Sequence, residues 1–209
     1  FRDTLGERGY FISQLKTLDC LADPDGSRKY LFELADGERV EAVLLRDEQR
    51  LTLCVSTQVG CAMGCAFCAT GRIKLRRSLT AGEIADEVNQ AERDAGKINN
   101  VVYMGMGEPF ENYDAVLKSV RILNHASGKN IGIRHITIST CGVAPAIVRL
   151  AGEDVRPRLA ISLNAPSDSL RSRIMPIARK YPLAELLKAV RTYQARTQQR
   201  VTFEYVLID

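Results

Sequence analysis

Apolar and polar positions follow two different rhythms along this chain. Between residues 28 and 46, RKYLFEL and RVEAVLLR read as two strands around the turn signal Ala35-Asp36-Gly37-Glu38, which predicts a β-hairpin. From residue 51 onward, apolar β-branched runs take turns with helical 3.6-residue patterns. LTLCVST (51–57) is the first such strand, and a helix opens near Thr80, where Thr80 and Glu83 fit a capping box. NNVVYMGMG (99–107) predicts a buried strand, followed by a helix over 112–126 with Val116, Val120 and Leu123 on one face. HITIST (135–140) leads to a helix over 143–151, and RLAISLN (158–164) to a helix over 167–174. A last helix over 182–197 carries Leu183, Leu186, Leu187, Val190 and Tyr193 in phase and runs into the strand-like VTFEYVLI. Five strands separated by helices predict an α/β fold of parallel βα units behind a short N-terminal β-hairpin. A curved, incomplete barrel and a flat doubly wound sheet both fit this pattern. In either, reactive groups gather at the carboxyl ends of strands. Those ends carry a cysteine loop, GMGEP, STCG and LNAP.

Composition narrows the class. A chain of 209 residues supports one sizeable core, and 45% hydrophobic with 26% charged residues is ordinary for a globular protein. No run approaches the ~20 apolar residues of a membrane helix, and FRDTLGERGYF lacks the apolar centre of a secretory signal, so a cytoplasmic protein is expected. The net charge of +4 permits an RNA partner without requiring one. Arg72, Lys74, Arg76 and Arg77 form one basic group and Arg171, Arg173, Arg179 and Lys180 another; charge alone favours two solvated faces. The chain starts without Met and stops at Asp209, directly after a strand-like run, so a fragment is expected.

Six cysteines in a chain of cytosolic character point to ligands or buried thiols rather than disulfides. Cys61, Cys65 and Cys68 are spaced CxxxCxxC in one loop after a strand. Such a loop can hold three irons of a [4Fe–4S] cluster and leave the fourth open to chelate the amino and carboxylate groups of S-adenosylmethionine (SAM). The alternatives are zinc, which wants a fourth ligand that is not nearby in sequence, or three unrelated thiols. Phe67 fits a shield over the adenine of SAM or plain loop packing. Gly107 and Glu108, in GMGEP, fit close main-chain approach to a ligand and a partner for its amino group. Ser139 and Ser162 end consecutive strands, where each meets a ribose or carboxylate or simply caps the next helix. Cys54 reads as a small buried hydrophobe, Cys20 and Cys141 as structural, and Glu41 as exposed.

The stretches TLCVSTQVGCAMGCAFCATG, VVYMGMGEPFENYDAV, RHITISTCGV, LAISLNAPSDSLRSRIMPIARKYP and RVTFEYVLID together resemble one family. It is the radical-SAM RNA methyltransferases that methylate carbon 2 of an adenosine in 23S rRNA and tRNA, with a carbon-8 antibiotic-resistance branch as sister. The resemblance runs from about residue 15 to 209. It implies a partial (β/α) radical-SAM barrel over 51–209, truncated at its C-terminal side, after an extension and hairpin over 1–50. It implies Cys61, Cys65 and Cys68 as cluster ligands. Gly107, Glu108, Ser139 and the segment Ser162, Leu163, Asn164 become SAM contacts. It moves Glu41 and Cys54 to catalytic roles, as proton acceptor and as the cysteine that helps release an RNA–protein adduct.

In the family, one SAM methylates a cysteine near the carboxyl end, and a second SAM yields the radical that activates this methyl for addition to the adenine. That cysteine, and an N-terminal RNA-binding domain, are expected to be missing from this chain. Flavodoxin or ferredoxin is the implied electron donor, and a monomer with no membrane attachment is implied. Asn164, Ala178 and Ser78 depart from the family's His, Asn and Asn. A radical-SAM enzyme with another substrate and a non-enzymatic iron–sulfur or zinc module are the remaining readings.

Overall fold

A computed structural model describes residues 15–48 and 50–207, with isolated helical positions at Thr4 and Glu7. One eight-stranded sheet organises it. The hairpin is present as β2 (Arg28–Glu33) and β3 (Arg39–Asp47), antiparallel, with Leu31 opposite Glu41. An additional antiparallel strand, β1 (Lys16–Ala22), pairs with β2. Its side chains are almost all exposed, so no buried face wrote an alternation into its sequence.

β3 is followed by antiparallel β4 (Arg50–Cys54), where the sheet changes sense. β7 (Asn100–Tyr103), β8 (Ile136–Thr140), β9 (Arg158–Ser162) and β10 (Val201–Glu204) then join β4 in parallel. These five parallel strands lie in sequence order. A doubly wound sheet reverses its strand order at a switch point, and this one does not. The ambiguity left by the sequence therefore resolves to the incomplete barrel: β1 and β10 each have one neighbour, so the sheet is not closed.

Sequential right-handed crossovers put the helices on one face. These are α1 (Ala81–Ala95), α2 (Tyr113–Asn124), α3 (Ala144–Leu150), α4 (Asp168–Ile174) and α5 (Leu183–Thr197). Each boundary falls within a residue or two of the expected one. The capping box at α1 is made in full: Glu83 N donates to Thr80 Oγ1 at 3.2 Å, and Thr80 N donates to Glu83 Oε2 at 2.8 Å. The core lies between these helices and the sheet, where Leu53, Val101, Ile138 and Ile161 meet Ile84, Val88, Val120 and Ile147, all fully buried. By the two-residue period of a strand, Cys54, Val102, Ser139, Ser162 and Glu204 project to the opposite face.

Candidate active site at the carboxyl ends of the parallel strands

A cavity of about 230 Å³ with largely apolar walls opens at the carboxyl ends of β7 to β10. Cys61, Cys65 and Cys68 all line it, as do Gly107, Glu108, Ser139, Ser162 and Asn164. With Phe67, nine of the residues singled out from sequence converge on one place. Leu163, between two of them, is not in the wall; its main chain ties β9 to β10 through Leu163 N donating to Glu204 O at 2.9 Å.

The cysteine loop is braced from three sides. A two-residue ladder, β5 (Gln58–Val59) with β6 (Arg77–Ser78), closes its base. Cys61 N donates to Ile73 O, and Ala66 N donates to Ile174 O at the end of α4. All three thiols are free and partly buried. Burial pushes the Cys61 thiol up, and takes Cys65 up to about 11, with neighbouring Cys61 and Cys68 adding to it. Metal binding at sulfur would displace the protons of such thiols into solvent, an ionisation that burial disfavours while no metal is bound. Among the described residues no three His, Cys, Asp or Glu side chains converge on a single metal ion. Three thiols lining one cavity are the donor set that a [4Fe–4S] cluster takes.

GMGEP is shaped by close main-chain packing. Gly107 has φ +97°, and a Cβ there would meet Gln58 Cβ at 2.6 Å and Gln58 N at 2.9 Å. Glu108 is buried, and its carboxylate accepts from Cys141 N at 2.8 Å and Phe110 N at 3.0 Å. Burial raises its pKa, and these hydrogen bonds offset part of the rise. A carboxylate has room for more than two hydrogen bonds, so a ligand's ammonium remains acceptable to it.

The bland alternative for the two serines fails. Ser139 Oγ donates to Glu204 Oε2 at 2.7 Å and Ser162 Oγ donates to the same oxygen at 3.0 Å. Helix entry is handled by others: Gly142 N donates to Thr140 Oγ1, and Leu170 N donates to Ser167 Oγ. Glu204, at the end of β10, is a site residue that the sequence reading missed. An acidic residue inside the apolar run VTFEYVLI was the available signal. Cys141, read as structural, also lines the cavity, and Phe67 stands in its wall 40% exposed.

Cys54 and Glu41 are not in the cavity wall. Cys54 pairs with Val43 on β3, two residues from Glu41, so the two are diagonal neighbours on one sheet face. Burial pushes the Cys54 thiol up to about 12. Glu41 is half-exposed and ion-paired to Lys29 Nζ at 2.7 Å. Ser56 Oγ links its strand to the site by donating to Glu41 O at 2.6 Å while accepting from Met106 N at 2.9 Å.

The departures also have places. Asn164 adopts φ +57°, a left-handed conformation that Asn tolerates well, and its Oδ1 accepts from Val206 N at 3.1 Å. Ser78 Oγ accepts from Gln58 Nε2 at 3.1 Å, and Ala178 is buried.

The basic groups divide. Arg77 is held by Glu83 and Asp36, and Arg76 by Glu38, whereas Arg72 and Lys74 are exposed without an acidic partner among the described residues. In the second group Arg173, Arg179 and Lys180 are solvated, but Arg171 is fully buried. The expected solvated face is corrected at that residue: α4 turns it inward, onto main-chain carbonyls.

Residues 55–209 match the Radical SAM superfamily. The chain belongs to the radical SAM superfamily. Its membership brings with it a [4Fe–4S] cluster and SAM. A crystal structure of a radical SAM methyltransferase from Sphaerobacter thermophilus superposes with TM-score 0.93 at 48% identity, covering 99% of this chain and 62% of that one. A probable dual-specificity RNA methyltransferase RlmN of Dictyoglomus thermophilum is 49% identical over 203 residues, 95% of this chain and 58% of that protein. A dual-specificity RNA methyltransferase RlmN of Pelobacter propionicus is 50% identical over 198 residues. The radical SAM chain described here spans about three fifths of the length of these relatives. No helix among the described residues is long and apolar enough to cross a membrane.

Proposed function

We propose that this chain is the radical-SAM core, residues 51–209, with an N-terminal extension over 1–50, of an RNA methyltransferase. The reaction is methylation of carbon 2 of an adenosine in 23S rRNA and tRNA through a methylcysteine intermediate. One observation carries the reading: a single cavity gathers the three cysteines of CxxxCxxC with Gly107, Glu108, Ser139, Ser162 and Asn164. The relatives' names supply the RNA substrate class. In this reading the methyl-carrying cysteine is none of the six present here.

Cys61, Cys65 and Cys68 hold the cluster as thiolates. Bound cluster and SAM together supply one-electron cleavage of the sulfonium, and with it hydrogen abstraction from an unactivated carbon. Gly107 lets the main chain approach SAM, and Glu108 accepts from its amino group. Ser139 and Ser162, held on Glu204, face the ribose hydroxyls. Phe67 covers the adenine, and Leu163 and Asn164 shape the rim between β9 and β10. Cys54, whose thiol burial pushes up to about 12, helps release the RNA–protein adduct. Glu41, its diagonal neighbour on β3, accepts the proton lost from the adenine carbon. Arg72 and Lys74 meet RNA phosphates. A flavodoxin or ferredoxin reduces the cluster in the cytoplasm, and the protein works as a monomer.

The test is anaerobic reconstitution with iron and sulfide, reduction by dithionite, and an assay for 5′-deoxyadenosine released from SAM. Product from the wild-type chain that disappears in Cys65→Ala supports the reading. A cluster-loaded wild-type chain that releases none overturns it.

A further inference from the structure

Arg171 is the largest fully buried side chain among the described residues, at 0% exposure. It lies on α4, immediately behind the cavity. Its Nη2 donates to Cys141 O at 2.6 Å and to Ser162 O at 3.5 Å, and its Nε donates to Leu163 O at 3.1 Å. Nη1 is buried and has no hydrogen-bond partner. No carboxylate forms an ion pair with it among the described residues; Asp168, one turn earlier, accepts from Leu183 N instead. Taking a guanidinium out of water without an anion costs several kcal/mol on the usual scale, and an arginine cannot escape by losing its proton. A fold that keeps such a charge has an anion for it to face.

The surroundings identify that anion. Arg171 O accepts from Met175 N, and the same turn of chain holds the cysteine loop through Ala66 N donating to Ile174 O. Cys141, Ser162 and Met175, which touch or follow Arg171, line the cavity together with Cys61, Cys65 and Cys68. A [4Fe–4S] cluster on three thiolates carries one net negative charge when oxidised and two after taking one electron from an external donor.

We propose that Arg171 is the counter-charge of the cluster, a positioning residue that holds its unpaired guanidinium behind the cysteine loop and favours the reduced state. The idea rests on the cluster reading above. A buried unit charge close to the cluster changes the equilibrium constant for reduction on the order of tenfold, a shift of ~59 mV for one electron. Removing it makes the cluster harder to reduce.

The experiment is a redox titration of the anaerobically reconstituted chain, followed by electron paramagnetic resonance, for wild type, R171Q and R171K. R171Q, which loses the charge and keeps amide donors, is expected to lower the reduction constant about tenfold. R171K, which keeps the charge and loses the fork of donors, is expected to stay within about threefold of wild type. A cluster-loaded R171Q with the wild-type midpoint overturns the proposal. So does an R171K that falls as far as R171Q. Should R171Q not fold, R171M, which also removes the charge, is titrated in its place, and loss of folding in both charge-removing variants reduces Arg171 to a structural tie and overturns the proposal too. A wild-type chain that takes up no cluster sinks the cluster reading itself, which separates the two failures.

Discussion

Glu87 sits at 0% exposure on α1, beneath the strand ends that build the site. Its Oε2 accepts from Ser56 N at 3.0 Å, while Oε1 is buried with no partner. Burial raises its pKa well above the ordinary carboxyl value, and the nearby Glu83 and Asp86 add to the rise. The sign follows from linkage: a carboxyl raised in the folded state gives its full stability below its unfolded pKa, about 4.3, and loses stability as pH climbs above that. While the folded carboxyl stays protonated the loss is ~1.4 kcal/mol per pH unit.

Glu87→Gln removes the titration and keeps an acceptor for Ser56 N. Thermal unfolding of the apo-chain at pH 5, 6 and 7 should therefore show the variant gaining on wild type with each unit over which the folded carboxyl stays protonated. The gain should be about 3–6 °C in melting temperature per pH unit, for a chain of this size. Parallel stability curves for the two proteins across this window would refute the assignment of a neutral, buried Glu87. A Leu at the same position, which strands Ser56 N, should instead cost about 1–3 kcal/mol at every pH.

Gly107→Ala forces a Cβ against Gln58 in a backbone region that side chains rarely adopt, so at least ~2 kcal/mol of stability and most SAM binding should be lost. Thermal melts with equilibrium dialysis of SAM check this, and a variant with both properties intact would contradict the close-approach account. Arg72→Ala with Lys74→Ala should reduce the salt dependence of binding to an rRNA fragment by about 0.7–0.9 in slope per lost phosphate contact. An unchanged slope in filter binding at several salt concentrations would return both residues to a solvated face.

Much of this protein was legible before folding, because its information is local. Three cysteines in one loop carry their spacing with them, and Thr80 with Glu83 announces the start of α1 by hydrogen bonds three residues apart. The parallel strands were legible because their helix-facing positions, Leu53, Val101, Ile138 and Ile161, are fully buried aliphatic residues within short β-branched runs. β1 was not, since it is exposed on nearly every side and is held by pairing with β2 alone. Glu204 was missed because only parallel register brings it opposite Ser162 and within reach of Ser139. Arg171 was placed in the wrong environment: four basic residues within ten positions look alike in a sequence, and helix phase alone turns one of them inward.

The sequence by itself determined the chemistry available to this chain and the succession of its elements. Thiol spacing, glycine at Gly107 and hydrophobic period are properties of neighbours along the chain. Tertiary structure alone decided whether the strands curve without reversing order, which serines share an acid, and which charge is buried without an anion. Those depend on long-range pairing and on exclusion of water, which no local window of residues contains.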